Sequence, residues 1–258
     1  MVTRKSAAEI ELMRRAGRIV AEVLALVESE LKPGVTTGQL DALAERHIRR
    51  SGAVPSFKGY LGNRRYGGGP LAFPGSVCVS IDDEVVHGIP GERVIRQGQI
   101  VSIDAGAIWH GWHGDAARTF IVGEAGPQAA RLVTTTRLAL MAGIQAAVPG
   151  GYLEEIGGAV EDVARAEGFD IVRQFVGHGI GTDMHEEPQV PNYRTGHRGQ
   201  KLQPGICLAI EPMLTVGRAD VETRPDGWTV VTRDRSLAAH FEHTIAVTDH
   251  GPEILTTV

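Results

Sequence analysis

Cysteine is scarce in this sequence, and its scarcity excludes two kinds of architecture. Only Cys78 and Cys207 occur among 258 residues, and no Cys-x-x-Cys pair is present. Two cysteines so far apart exclude a disulfide framework and a cysteine zinc site, and they are typical of a reducing compartment. The first residues contain no apolar core of the kind found in signal peptides. We therefore expect a cytoplasmic protein.

Aromatic residues, positive charge and long apolar runs are also in short supply. Aromatic residues make up 5% of the chain, so the core must be mainly aliphatic, although the total hydrophobic content of 42% is ordinary for a globular protein. The formal net charge of −5 argues against direct nucleic-acid binding, which needs a basic face. No apolar run approaches the ~20 residues that cross a bilayer. Nothing in the sequence demands an oligomer, and we expect a monomer that binds no membrane.

Apolar residues at helical spacing predict four helices. Ser6 and Glu9 form a capping box, in which each side chain satisfies an amide at the start of the first helix. Prolines and glycines end the periodic segments. The predicted limits are Ser6 to Pro33-Gly34, Thr36 to Gly52, about 127–147 and about 152–167.

Short apolar runs between turn residues predict strands. Asp104 lies within the run 100–105, and Asp115 begins a strand that continues to Val122 after a turn at 109–114. The other predicted strands that matter here are Val77 to Ile81, Cys207 to Glu211 and His240 to Val247.

The chain also contains a weak internal repeat. A shift of 116 residues places Pro33-Gly34 on Pro149-Gly150, and a shorter shift places His87-Gly88-Ile89 on His178-Gly179-Ile180. Each half then runs helix, helix, strand, histidine, carboxylate, carboxylate. We predict a single α+β domain over 1–258, with pseudo-twofold related halves at about 6–122 and 127–248 and one site where they meet.

Four carboxylates stand in or beside apolar strands, where charge is costly: Asp104, Asp115, Glu211 and Glu242. A buried carboxylate needs a partner or a cation, and ion pairs with arginine would explain one or two of these rather than all. His178 lies in a glycine-rich stretch that lets a ligand approach closely. Four negative charges balance two divalent cations. By ligand type these would be manganese, iron(II), cobalt or zinc, and two such ions about 3.5–4 Å apart support hydrolysis.

His87 and His185 are not needed to complete this metal site. They are candidates for hydrogen bonding to a substrate carbonyl, for stabilising an oxyanion or for protonating a leaving amine. The alternative for each is a histidine bonded to nearby backbone. We expect such a structural role by default for the remaining histidines, of which His243 adjoins Glu242: His110, His113, His197, His240, His243 and His250.

Taken together, the motifs resemble those of the bacterial type I methionine aminopeptidases, in order and over nearly the whole chain. They are Val85-Val86-His87-Gly88-Ile89-Pro90, Asp104, Asp115, Gly177-His178-Gly179-Ile180-Gly181, His185-Glu186-Glu187-Pro188, Ile210-Glu211-Pro212-Met213 and Phe241-Glu242-His243-Thr244. The resemblance implies the pita-bread fold, in which antiparallel sheet is backed by helices. It also implies that the chain removes the initiator methionine from nascent proteins with a small second residue, with the ribosome as a candidate partner.

The resemblance assigns the metal ligands by position. It implies that Asp104 chelates one ion and that Asp115 and Glu242 bridge both ions. It further implies that His178 and Glu211 bind the other ion.

The same resemblance assigns catalytic and substrate-binding residues. Glu211 is the candidate for moving the proton of the attacking water, and His87 and His185 would contact the substrate around the scissile amide. The implied methionine pocket consists of Tyr60, Phe73, Cys78, Met184 and Trp228. A cysteine and a methionine beside aromatic rings suit an unbranched thioether side chain.

The chain departs from the family at the pocket. Met184 stands where many relatives have an aromatic residue, and Phe57 where some have cysteine. Residues 61–72 resemble an insertion at the pocket rim. The gap from Glu211 to Glu242 is too short for the helical insertion of the type II enzymes.

Two other functions remain open from the sequence. A proline-specific peptidase of the same fold would use the same five ligands, although such relatives usually carry a separate N-terminal domain, for which we expect no room. A binding protein of the same fold without catalysis would usually have lost metal ligands, and all five are present here.

Overall fold

The four predicted helices form, and their capping residues explain where they begin. The computed structural model of the protein describes residues 2–62 and 71–258. The Ser6 hydroxyl accepts from the Glu9 amide, while the Glu9 carboxylate accepts from the Ser6 amide, so two otherwise unsatisfied donors are paired. Within the described residues the helices are α1 Ala7–Glu30, α2 Thr37–Arg50, α3 Pro127–Ala146 and α4 Leu153–Ala166.

The strands are short apart from one long hairpin. In chain order they are β1 Val54–Pro55, β2 Val77–Ile81, β3 Glu84–Val86, β4 Ile100–Trp109, β5 Trp112–Ile121, β6 Asp170–Ile171, β7 Gly177–Gly179, β8 Glu186–Val190, β9 Cys207–Ile210, β10 Met213–Thr215, β11 Val221–Thr223, β12 Val230–Thr232, β13 Ala238–His240, β14 His243–Thr248 and β15 Gly251–Ile254. All of the strand pairs in the described residues are antiparallel.

Each half of the chain packs two helices against a sheet. In the first half β4 pairs with β1, β2 and β5, and α1 and α2 cover this sheet through an aliphatic core. In the second half the order is β15-β14-β9-β7-β8, and residues of α3 and α4 share an aliphatic core with this sheet. Two three-stranded sheets, β13-β10-β6 and β11-β12-β3, complete the described part. The same arrangement of two helices on an antiparallel sheet in each half supports the predicted internal duplication, which stays a prediction.

Strand β5 joins the two halves along one edge. Ala117 and Glu242 exchange backbone hydrogen bonds, with N–O distances of 2.9 and 3.3 Å. The Thr244 hydroxyl accepts from the Asp115 amide at 3.0 Å and donates to the Asp115 carbonyl at 2.8 Å. The seam between the halves therefore contains two of the predicted metal ligands.

Two strand predictions are wrong in detail. Asp115 lies inside β5 rather than at its start, because β4 and β5 extend until a two-residue turn at His110-Gly111, where both residues have positive φ, as a tight hairpin turn requires. The segment predicted as one strand from His240 to Val247 is divided into β13 and β14. Glu242 interrupts it because its backbone pairs with Ala117 of the other half. Of the helices described, none is long and apolar enough to span a membrane.

Candidate metal centre and substrate pocket

All twelve predicted site residues line a single cavity between the halves. Phe57 lines it as well, although the sequence did not single out that residue for a role. The cavity is bounded by Phe57, Tyr60, Phe73, Cys78, His87, Asp104, Asp115, His178, Met184, His185, Glu211, Trp228 and Glu242.

The four carboxylates reach this cavity from different strands. Asp104 and Asp115 lie on the hairpin β4–β5, where Asp104 faces Ala117 and Asp115 faces Gly106 in the register. Glu211 directly follows β9, and Glu242 lies in the break between β13 and β14. Neither half alone supplies the complete set.

His178 presents a nitrogen lone pair to the carboxylates. Its Nδ1 lies 2.9 Å from the Gly179 carbonyl oxygen, so Nδ1 carries the proton and donates it. Its Nε2 lies 3.6 Å from a Glu211 oxygen and 4.0 Å from an Asp115 oxygen. A metal-binding histidine usually donates its second ring nitrogen to a carbonyl in this way.

The residues present fit a divalent cation. Among the described side chains, Asp104 Oδ1, Asp115 Oδ1 and Glu242 Oε1 are buried without a hydrogen-bond partner. One ligand atom each from Asp115, His178 and Glu242 lies within 4.8 Å of the others. Buried oxygens are normally hydrogen-bonded, so three oxygens without a partner in one cavity indicate a cation site.

Burial, and for three of them mutual proximity, raises the pKa values of the four carboxyl groups. Burial raises the pKa of Asp104 to about 7. Burial and then the neighbouring carboxylates raise the pKa values of Asp115, Glu211 and Glu242 well above their ordinary range. Without a cation these four carboxyl groups therefore keep their protons to higher pH than ordinary carboxyl groups do, and divalent ions would compete with those protons.

His87 is held in a backbone conformation that side chains rarely adopt. Its φ is +59°, and it follows β3 directly. The next residue, Gly88, donates to the Ser80 hydroxyl at 3.1 Å, and Val79 donates to the Gly88 carbonyl at 2.9 Å. Left-handed non-glycine residues are concentrated at functional sites. Burial lowers the pKa of His87 to about 4, so its imidazole is neutral at physiological pH.

His185 lies beside His178 and is hydrogen-bonded to Tyr60. The two imidazole centroids are 4.3 Å apart, and Tyr60 Oη is 2.7 Å from His185 Nδ1. Burial, and then the neighbouring His178, lower the pKa of His185 to about 2. If the phenol donates to Nδ1, the proton of the neutral ring sits on Nε2.

The predicted methionine pocket forms one apolar cluster. Phe73 and Trp228 meet edge to face at 5.3 Å, and Trp228 Nε1 donates to the Leu71 carbonyl at 2.8 Å. The buried members are Phe57, Phe73, Cys78, Met184 and Trp228, with Tyr60 and Ile89 packed against them. Of the insertion at 61–72, residues 63–70 lie outside the described residues.

Sequence reasoning missed one histidine at the metal centre. His240 was assigned a structural role, yet its Nε2 is buried without a hydrogen-bond partner in the described part of the protein. That nitrogen lies 3.9 Å from Glu211 and 4.0 Å from Glu242. Its position two residues before Glu242, on the same face of an extended chain, was the available clue.

Comparison with known proteins identifies the class. The model of metallopeptidase family M24 matches residues 11–249, and the chain belongs to this family. Within it, the chain is 50% identical to the methionine aminopeptidase of Clostridium acetobutylicum over 257 residues, covering 99% of both chains. The crystal structure of methionine aminopeptidase from Thermotoga maritima superposes with a TM-score of 0.94 at 41% identity, covering 100% of both chains.

A structure at much lower sequence identity shares the fold alone. The prolidase from Pyrococcus furiosus matches with a TM-score of 0.77 at 21% identity, and the match covers 99% of this chain and 65% of that one. At that identity the likeness establishes only the shared fold. The predicted pita-bread architecture and the resemblance to methionine aminopeptidases are both confirmed.

Proposed function

We propose that this chain removes the N-terminal methionine from peptides and nascent proteins whose second residue is small. The observation that carries the proposal is the continuity of the cavity, in which the carboxylate–histidine centre adjoins an apolar pocket of buried side chains. A thiol, a thioether and aromatic rings suit the flexible, polarizable side chain of methionine. The 50% identity to a methionine aminopeptidase supports the same substrate.

We propose two divalent ions per chain, held by Asp104, Asp115, His178, Glu211 and Glu242. Four carboxylates in one buried site carry a charge that one dication would leave half compensated. Asp115 and Glu242, which lie at the seam between the halves, would hold the ions together with ligands from both halves. When bound, such ions polarise a substrate carbonyl and provide a water of lowered pKa. Cobalt, manganese, iron(II) and zinc all match this donor set.

The protein side chains then position the substrate and move protons. Glu211 accepts the proton from the attacking water and returns it to the leaving amine. The neutral imidazoles of His87 and His185 donate hydrogen bonds around the scissile amide, and Tyr60 fixes the orientation of His185. The apolar pocket excludes water from the methionine side chain and sets the position of its carbonyl.

A proline-specific peptidase is the competing function, since such enzymes share the fold. The experiment is turnover by chelated protein that is titrated with manganese or cobalt, with Met-Ala-Ser and Gly-Pro-Ala as parallel substrates. Methionine release that depends on metal supports the proposal. Cleavage of Gly-Pro-Ala alone would refute it in favour of the proline peptidases. Tight metal binding without any turnover would favour a binding protein.

The remaining proposals concern the cellular setting. We propose that the chain acts as a monomer in the cytoplasm, on nascent chains as they leave the ribosome. The scarcity of cysteine supports the cytoplasmic location. Sedimentation of the purified protein, alone and with ribosomes, tests the monomeric state and the association with ribosomes.

A further inference from the structure

The N-terminal segment before α1 is fastened to the active-site turn by a buried ion pair. Lys5 Nζ lies 2.6 Å from Glu186 Oε2, and only 4% of the Lys5 side chain and 11% of the Glu186 side chain are exposed. Thr3 Oγ1 donates to the same carboxylate oxygen at 2.7 Å and lies 2.6 Å from Lys5 Nζ. A lysine ammonium is rarely buried without a specific partner.

Two hydrogen bonds to the carbonyls of residues 204 and 205 hold this segment in place independently of the ion pair. The Lys5 amide donates to the Gly205 carbonyl at 2.6 Å, and Arg4 Nε donates to the Pro204 carbonyl at 2.8 Å. Residues 203–206 lead into β9, the strand that ends at Glu211. The Lys5 side chain therefore extends from a fixed backbone rather than from a loose terminus.

Glu186 lies where it can control the turn that carries two site residues. It directly follows His185 and is paired with Gly179 in the ladder between β7 and β8. Its second oxygen, Oε1, accepts from the Asp183 amide at 3.4 Å. A Cβ added at Gly181 would lie 2.6 Å from Lys5 Cε, so the lysine stem packs directly on the start of this turn.

We propose that Lys5 is a positioning residue for the substrate pocket, acting through Glu186 to hold the 181–185 turn with Met184 and His185 over the cavity. This inference rests on the proposed function, in which Met184 lines the methionine pocket and His185 contacts the scissile amide. Removing the ammonium takes the Lys5 charge away from a carboxylate whose side chain is only 11% exposed, so we expect Glu186 to move toward water and to draw the turn with it.

The test compares Lys5→Leu with the matched control Arg4→Leu, which removes a charge from the same segment without touching Glu186. In the metal-loaded enzyme, Lys5→Leu should lower kcat/KM for Met-Ala-Ser about 10- to 100-fold, the range expected for a displacement near 1 Å. Arg4→Leu should stay near wild type. Metal affinity, measured by calorimetry, should change little in either variant.

A second measurement does not depend on turnover. The methyl resonance of Met184, assigned by its loss in Met184→Leu, is sensitive to the rings of Phe73 and Trp228 in the same cluster. It should shift in Lys5→Leu and stay in place in Arg4→Leu. If wild-type protein releases no methionine, the proposed function fails, and this resonance still decides the role of Lys5.

The inference is overturned if Lys5→Leu keeps both the wild-type Met184 resonance and the wild-type kcat/KM, even when its thermal stability is reduced. If Lys5→Leu does not fold, Thr3→Val takes its place. That variant removes one donor to Glu186 while the buried charge stays paired. A displacement of the Met184 resonance from its wild-type position supports the inference, and an unchanged resonance refutes it.

Discussion

Asp104→Asn should stabilise the metal-free protein at neutral and alkaline pH, although it removes a proposed metal ligand. Burial raises the pKa of Asp104 from 3.8 to about 7 in the folded chain. A carboxyl group with a raised folded pKa favours folding below its unfolded pKa, and this contribution is lost as the pH rises through about 7. Above that pH the ionised Asp104 therefore costs the folded state about 4 kcal/mol relative to a neutral side chain.

The magnitude can be expressed as a melting temperature. Roughly 2–4 °C per kcal/mol is expected for a chain of this size, so the asparagine variant should melt about 10 °C higher than wild type near pH 8. Near pH 5 the difference in melting temperature should fall to less than half of its value near pH 8, because wild-type Asp104 is then largely protonated in the folded chain. The buried histidines take up protons over part of the same range when the chain unfolds, but they are common to both proteins and cancel in the comparison.

The assay is thermal unfolding in excess chelator at the two pH values, followed by the same scans with manganese. Asp220→Asn is the control, since the Asp220 side chain is 61% exposed and should show no pH-dependent gain. With manganese present, wild type should melt at a higher temperature than Asp104→Asn, because wild type binds the ion more tightly. A metal-free Asp104→Asn variant that is less stable than wild type near pH 8 would refute the electrostatic reasoning.

Three further predictions concern turnover of Met-Ala-Ser. Asp115→Ala or Glu242→Ala should each abolish activity while circular dichroism shows a folded chain, and undiminished activity in both would contradict the two-ion site. His185→Ala should lower kcat at least 100-fold with little change in metal affinity measured by calorimetry; a matching loss of metal would place His185 among the ligands instead. Tyr60→Phe keeps the ring in the pocket and removes only the hydroxyl on His185, so kcat should fall about 10-fold at constant KM. A raised KM at constant kcat would mean that the hydroxyl serves binding alone.

The parts that were predictable from sequence are those set by local chemistry. The capping box at Ser6 and Glu9 marks the start of α1 because both partners are within one turn. Asp104 stands out because a carboxylate in an apolar strand needs a cation or a partner. Such arguments need only neighbouring residues.

What the sequence did not disclose depends on contacts between distant segments. The break at Glu242 exists because its backbone pairs with Ala117, which is 125 positions away in the sequence. The bond from Tyr60 to His185 and the ion pair of Lys5 with Glu186 likewise join segments far apart in the chain. The sequence assigned His240 a structural role by default, and the position of its Nε2, 3.9 Å from Glu211, becomes apparent only when the two strands are placed side by side.

Cys78 bears on how the enzyme's selectivity for a side chain depends on pH, as distinct from its rate of cleavage at the amide. Its thiol faces the pocket from β2, in register with Asp104 on β4. Burial raises the pKa of the Cys78 thiol well above its ordinary value, so the sulfur stays uncharged throughout the physiological range. The apolar wall that selects methionine therefore has no ionisation of its own in that range. We expect discrimination between methionine and leucine to be independent of pH, even where the turnover number changes with it.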